Sequence, residues 1–411
     1  MQTIGTMDRR TMLQALAAAA AAALVPGRLT AQARSAPAPR RVIVIGAGIV
    51  GSSIAWHLAR RGCEVTMLEA RGPAAQASGH SFAWLNGGDA SQPNDYHQLR
   101  ALALTEHRHV GQLLDWPVRW GGSLEWSDEP AATLIEGVRR MQGRGSAVRL
   151  VRGAERATIE PGLAVSADTS LAYAEQDGAL DAAAATRVLV EAAVSEGARA
   201  IMPARVTGLE TAAGQQRVMT DNGTFEADQV AVAAGVGASD IAAMAGLSLP
   251  QRSTPGIIVT TQPMKRIVNT VLYGPDGHVH QRNDGRVVVG EKAGPPGTDA
   301  HRALLDGLPN EFPSAGLAAE HAGRVLDTAT RFVPELAGAR VERVGVGWRP
   351  MPTDGLPVLG RPAAAPGLYF AVMHSGITLG PLVGRLVATE ILEGGSLDLL
   401  NGFRFDRTRQ G

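Results

Sequence analysis

The chain is patterned most sharply just past residue 40, where Val42 to Ile45 form an unbroken apolar run ending in glycines. Such a run marks a parallel strand buried on both faces. The spacing then changes: Ile54 and Leu58 stand four residues apart, as on one helix face, and Gly62 stops that helix beside Arg60 and Arg61, whose charges suit a helix C-terminus. Residues 64–68, EVTML, predict a second strand ending at Glu69. Together these make a βαβ unit.

Further along, the pattern is less regular. Residues 91–175 hold Trp116, Trp120 and Trp126, mixed helix and strand signals, and turn residues from Asp115 to Pro117; they predict a separate cap. A helix is predicted from Asp181, its N-cap, to Glu196, with Gly197 as its stop. Short strands follow near 200–209, 217–220 and 229–233, and GIIVTT and GRVVVG, between Pro250 and Gly290, predict a second sheet. Residues 301–331 read as mostly helical. LYFAV at 368–372 predicts a buried strand, and Leu382, Leu386 and Ile391 predict a helix from Pro381, a favoured first position, to Leu392, with Gly394 beyond it.

Composition narrows the class. The 411 residues, 45% hydrophobic and 19% charged, supply core enough for two domains and exclude disorder and coiled coil. Basic and acidic residues balance at 39 each, which excludes a nucleic-acid partner. The one cysteine, Cys63, leaves no internal disulfide, CxxC pair or cysteine zinc cluster, so redox chemistry requires a bound cofactor. At the N-terminus, Arg9 and Arg10 precede the weakly apolar run Leu13 to Val25, and Ala31-Gln32-Ala33 offers the small residues of a cleavage site. Residues 1–33 therefore resemble a twin-arginine signal and 34–40 a linker. The expectation is export by the twin-arginine machinery, cleavage near Arg34, and a soluble periplasmic or secreted protein.

The βαβ unit carries the motif Gly46-x-Gly48-x-x-Gly51 between strand and helix, with Glu69 ending the second strand. The glycines permit a tight turn, backbone approach to a pyrophosphate and close helix–strand packing, while the acid accepts hydrogen bonds from ribose hydroxyls. This pattern alone does not separate NAD from FAD. Toward the C-terminus, GLPVLG at 355–360 precedes LYFAV, and HSGITLGP leads into the last helix. A loop of small residues ahead of a helix N-terminus can approach a planar ligand and stabilise negative charge on it.

Together, VIVIGAGIVG, WRPMPTDGLPVLG and HSGITLGP resemble the D-amino-acid oxidase family of flavoproteins, over most of residues 41–395. The resemblance implies an α/β fold: a Rossmann-like FAD-binding domain (41–90, 176–248 and 340–411) and a substrate domain built on a mixed or antiparallel sheet (91–175 and 249–339). It implies FAD held at Gly46, Gly48, Gly51 and Glu69, with Ser78, Gly79 and His80 near the flavin. Val206 falls on the adenine side, Gly235 near the cofactor, and Gly376 and Thr378 beside the isoalloxazine. Arg349, in GWRPMPTDG, falls where relatives pair an arginine with the substrate carboxylate, a role its planar fork suits. The Asp-Pro that often opens the family's helix at 181 is Asp181-Ala182 here.

Two histidine readings stay open. His80 is either a hydrogen-bonding loop residue or a covalent flavin link. His278 and His280, two apart on a strand, either face the substrate cavity, with His280 as a candidate catalytic residue, or form a solvated hairpin pair. The implied reaction is hydride transfer from the carbon beside a neutral amine to the flavin N5, giving an imine that water hydrolyses. Oxygen or a respiratory quinone is the expected acceptor. With only two lysines, Lys265 and Lys292, and no lysine in the RVVV strand before Gly290, the balance tilts to a dehydrogenase. The alternatives are a nicotinamide-dependent dehydrogenase and an exported, non-catalytic flavin-binding protein.

Overall fold

The computed structural model describes residues 41–409, except 213, 293, 295, 296 and 306–308. The expected signal and linker, residues 1–40, lie outside the described residues. A six-stranded sheet is centred on Arg41–Ile45, with Glu64–Leu68 and then Arg199–Ile201 on one side. On the other side come Gln229–Val232, Leu368–Val372 and Val358–Gly360. All neighbours are parallel except the last pair, which is antiparallel. The apolar run at its centre works on both faces, as expected. Val42 and Val44 pack into one core with Ile54, Leu58, Leu189 and Leu382, and Ile43 and Ile45 into another with Val218, Val230 and Phe370.

Helices that contribute to the first core include Ile49–Ala59, Ala182–Ser195 and Gly376–Glu393. The second helix starts as expected, with the Asp181 carboxylate accepting from Ala184 N at 3.0 Å. The third differs. It begins at Gly376, which puts Pro381 inside the helix instead of at its first position. Proline has no N–H to give the carbonyl four residues back, Ile377 O. A side chain fills the gap: His107 Nε2–H donates to Ile377 O at 3.1 Å and to Thr378 O at 3.0 Å. Trp116 Nε1–H donates to His107 Nδ1 at 3.1 Å, which fixes the neutral tautomer with its proton on Nε2. Burial holds this imidazole's pKa down to about 4.

The second sheet has eight strands, in the order Val341–Pro352, Gln251–Thr261, Val287–Glu291, Gly277–Gln281, Val271–Tyr273, Ser123–Glu125, Leu171–Ala174 and Val148–Val151. It is antiparallel apart from the parallel pair Val271–Tyr273 and Ser123–Glu125. The helix Ala315–Thr330 covers it through Ala322, Val325 and Leu326. One boundary differs from the sequence-based division, which gave 340–411 to the dinucleotide-binding segments. Val341–Pro352 instead pairs with Gln251–Thr261 along its length and forms the edge of this second sheet. A 20-residue helix, Asn94–Leu113, was hidden in the irregular pattern of residues 91–175. Among the described residues, no helix is long and apolar enough to cross a membrane.

Candidate active site

The glycine motif forms the tight turn between the first strand and the first helix. Gly46 has φ +108°, and a Cβ there would stand 2.5 Å from Ala233 O. A Cβ on Gly51 would stand 2.0 Å from Gly46 O, so strand and helix meet backbone to backbone. Gly48 precedes the helix without any side-chain cap, which leaves that positive end open to an anion. Ser78 Oγ accepts from Ile49 N at 3.1 Å and closes one side of the turn. Glu69 closes the other, accepting from Ala47 N at 3.0 Å and Arg71 N at 2.9 Å.

From this turn a cavity of about 770 Å³ runs to the second sheet. Gly46, Gly48, Glu69, Ser78, His80, Gly235, Gly376 and Thr378 line it. Gly51 does not, its place being the helix–strand contact. Gly79 does not line it either; a Cβ there would stand 2.2 Å from Ala74 O, so this glycine shapes the loop. Val206 is buried at the start of the strand Val206–Ala212, off the cavity wall, two residues after Ala204, whose N–H donates to Glu69 O at 2.7 Å. Thr378 joins the walls: its Oγ1 donates to Trp84 O at 3.3 Å and accepts from Asn86 N at 3.4 Å.

Arg349 lines the opposite wall. Its Nη2–H donates to Pro255 O at 2.6 Å, on the neighbouring strand. Asp354, the acid close to it in sequence, is taken by Arg407 at 3.0 Å, and Arg349 makes no ion pair among the described residues. Tyr273 lies within its electrostatic reach, with a phenol pKa raised first by burial.

The two histidines separate. Both rings meet Phe82, at 4.2 Å for His278 and 4.8 Å for His280, so they do share a face. Only His278 lines the cavity. His280 lies behind Phe82, wholly buried, with Nε2–H donating to Phe82 O at 2.6 Å. This corrects its candidacy as a catalytic residue, because its one engaged nitrogen is spent on a backbone carbonyl. Burial holds both imidazoles near pKa 3. His80 does reach the cavity; its Nδ1–H donates to Gln76 O at 3.0 Å.

Several lining residues carried no motif: Arg100, Tyr273, Glu125 and Lys292 face the cavity, as does His374, which opens HSGITLGP but was not singled out there. Arg100 had one readable signal: it shares the apolar spacing of Tyr96, Leu99, Ala103 and Leu104, a charge on the buried face of a helix. His374, just ahead of the last helix, has its pKa held to about 4 by burial, with Arg349 and Arg100 adding. Lys292 Nζ lies 5.2 Å from the Tyr273 ring, which brings to the cavity one of the two lysines whose absence from the RVVV strand had favoured a dehydrogenase.

The comparisons with known proteins fit this geometry. The family model of the FAD-dependent oxidoreductases, DAO, matches residues 41–390. The chain belongs to the DAO family. FAD is therefore its cofactor, which removes the nicotinamide alternative, and the open turn at Gly48 beside Glu69 suits a dinucleotide. Glycine oxidase of Geobacillus kaustophilus (strain HTA426) is 28% identical over 360 residues, covering 84% of this chain and 91% of that protein. An opine oxidase component of Rhizobium meliloti is 26% identical over 379 residues, covering 88% and 97%. The crystal structure of glycine oxidase from Geobacillus kaustophilus superposes with a TM-score of 0.78 at 25% identity, covering 90% of this chain and 99% of that one. The α/β fold with its two main sheets is that of these flavoenzymes.

Proposed function

We propose that this DAO-family oxidoreductase oxidises the C–N bond of an amino acid or N-methyl amino acid to an imine. The observation that carries the reading is Arg349: a guanidinium on the cavity wall, anchored to the Pro255 carbonyl and unpaired with any acid among the described residues, is ready to receive a carboxylate. Bound FAD supplies the two-electron acceptor, taking hydride from the substrate carbon. Gly46, Gly48, Glu69 and Ser78 would hold the dinucleotide, and Gly376 and Thr378 would border its flavin. Arg349 fixes the carboxylate and so the tilt of the carbon beside it. His278, kept neutral by burial, adds no charge to compete with the substrate amine. Water then hydrolyses the imine.

Support comes also from the relatives named as glycine oxidase and opine oxidase. Anaerobic mixing of the holoenzyme with glycine, sarcosine and D-amino acids tests the reading: at least one should bleach the flavin. A flavin untouched by any amine leaves the non-catalytic binder as the better account. The acceptor, oxygen or a respiratory quinone, is read by reoxidising the bleached enzyme with each. Export rests on Arg9, Arg10 and the segment that follows them; lysine at both positions should retain the protein in the cytoplasm.

A further inference from the structure

His374 stands at the cavity end of a chain of hydroxyls that the proposed reaction does not use. Its ring is open to the cavity, whereas Tyr96, on the helix Asn94–Leu113, is 3% exposed. Tyr96 O–H donates to Ser375 Oγ at 3.1 Å, and Ser375 Oγ lies 3.3 Å from His374 Nδ1. Neither hydroxyl has a further acceptor among the described residues. Only one arrangement of protons then gives each hydroxyl an acceptor: Tyr96 donates to Ser375, and Ser375 O–H donates to His374 Nδ1. A neutral imidazole whose Nδ1 accepts carries its proton on Nε2, the nitrogen without a partner among the described residues. Burial, with the charges of Arg349 and Arg100 adding, keeps the ring neutral by holding its pKa to about 4. The cavity therefore meets an N–H donor in a field set by two arginines. Arg349, exposed on the cavity wall, has a fork that fills two of the roughly four lone-pair sites of a carboxylate and leaves the others for a further donor.

We infer that His374 donates from Nε2 to the substrate carboxylate that Arg349 holds, and that Tyr96 and Ser375 are positioning residues that fix its donor tautomer. The inference rests on the reading of Arg349 above and adds to it a second, uncharged donor. Like charges disfavour a third cation beside Arg349 and Arg100, whereas a neutral N–H gives the carboxylate one more hydrogen bond without repulsion. The same tautomer excludes His374 as the base. With its Nδ1 lone pair taken by Ser375 and a proton on Nε2, it cannot accept the proton of the substrate amine, which leaves to water.

The test uses the holoenzyme and (methylthio)acetate, a carboxylate with no C–N bond to oxidise. Binding is read from the visible spectrum of the oxidised flavin. His374→Leu should weaken it about tenfold or more, the worth of a hydrogen bond to a charged acceptor. His374→Gln, whose amide N–H2 can stand in for Nε2–H, should stay within about threefold of wild type. Tyr96→Phe should weaken binding about threefold to fivefold in the enzyme with His374. In His374→Gln the same change should cost nothing more, because an amide N–H2 donates whatever the hydroxyls do. Flavin content, measured alongside, shows whether each variant is folded. Full binding by His374→Leu overturns the inference, as does no binding by wild type or a glutamine variant as weak as the leucine one. A Tyr96→Phe loss of equal size in both backgrounds overturns the positioning role and makes Tyr96 a packing residue. Anaerobic reduction by glycine, sarcosine and D-amino acids separates the two levels. If His374→Gln binds (methylthio)acetate but loses a reduction that wild type shows, His374 is the base and the inference fails. If no amine reduces wild type while the binding pattern holds, the amine-oxidising reading fails and the carboxylate donor stands.

Discussion

At the nucleotide end of the cavity, Gly46, Gly48, Glu69 and Ser78 come from one stretch of chain, residues 46–78. At the substrate end, Arg100, the hairpin pair Tyr273 and His278, Arg349 and His374 come from four separate parts of the fold. The first end is held by short-range backbone contacts, such as the helix turned against Gly46 O and the loop serine on Ile49 N. The second is held by long-range packing, and there desolvation, with nearby arginines adding, pushes the pKa of His278, His280 and His374 to about 3 or 4. A change that acts on buried charge should therefore strike one end, and a change that acts on backbone clearance the other.

Acid gives the largest expected separation. In the unfolded chain a histidine binds its proton near 6.5, whereas His278 and His280 do not until about 3. Protons thus favour the unfolded chain. The stability these groups contribute is complete above about pH 6.5 and is lost as pH falls toward 3, at about 1.4 kcal/mol per pH unit for the wholly buried His280 and less for the half-buried His278. The melting temperature should be level above pH 7 and fall steeply from pH 6.5 to 4, and His280→Gln, which keeps a donor for Phe82 O, should flatten part of that slope. A melting temperature that holds steady across the same range would show that the second sheet does not bury its histidines neutral.

Gly51→Ala should break the other end. The added carbon would stand 2.0 Å from Gly46 O, a backbone atom that no rotamer change can move. Overpacking of this kind costs about 1–3 kcal/mol, or about 5- to 150-fold in flavin affinity where the displaced backbone is the cofactor's own cradle. The ratio of flavin to protein absorbance after purification reads the effect. A variant that keeps its full flavin would mean that the turn relaxes without disturbing the phosphate site.

The same difference explains what the chain made legible. The βαβ opening, the Asp181 cap and the fully buried strand Leu368–Val372 follow from neighbours in sequence, so periodicity and turn chemistry reveal them. Arg349 was reachable only through its motif. Nothing near Tyr273 or His374 in the sequence says that Arg349 and Arg100 come close to them, since those proximities depend on the order of strands in an eight-stranded sheet and on a helix from another segment. His280 was misplaced for a related reason: period two puts it on the same face as His278, but the Phe82 loop that stands between it and the cavity is distant in sequence.

Arg349→Lys sharpens the comparison from the substrate side. Lysine keeps the charge and loses the planar fork and the hold on Pro255 O, so KM for an amino acid should rise by about 30-fold, or about 2 kcal/mol, the low end for a damaged buried charge pair because the site opens to solvent. Flavin content should stay at the wild-type level, in contrast to Gly51→Ala. Simple amines without a carboxylate should be affected much less. Equal losses for both substrate types would move Arg349 from recognition to structure.

The smallest effect is expected where the two ends join, at His107. The last helix carries Gly376 and Thr378 to the cavity, and Pro381 leaves its first turn one donor short. His107 supplies that donor, and Trp116 holds it in the tautomer that can. Trp116→Phe keeps the packing and removes only the N–H that faces Nδ1. The imidazole can then lose its preference for a proton on Nε2, at a cost of about 1 kcal/mol, the net worth of one neutral hydrogen bond. His107→Phe should cost more, about 1–3 kcal/mol, because Ile377 O is left buried without its donor. If the helix start borders the flavin, both variants should also alter the flavin's visible spectrum without loss of cofactor, since they move Thr378 and not the phosphate cradle. A lowered melting temperature with an unchanged spectrum would confine His107 to repairing the proline and detach it from the site.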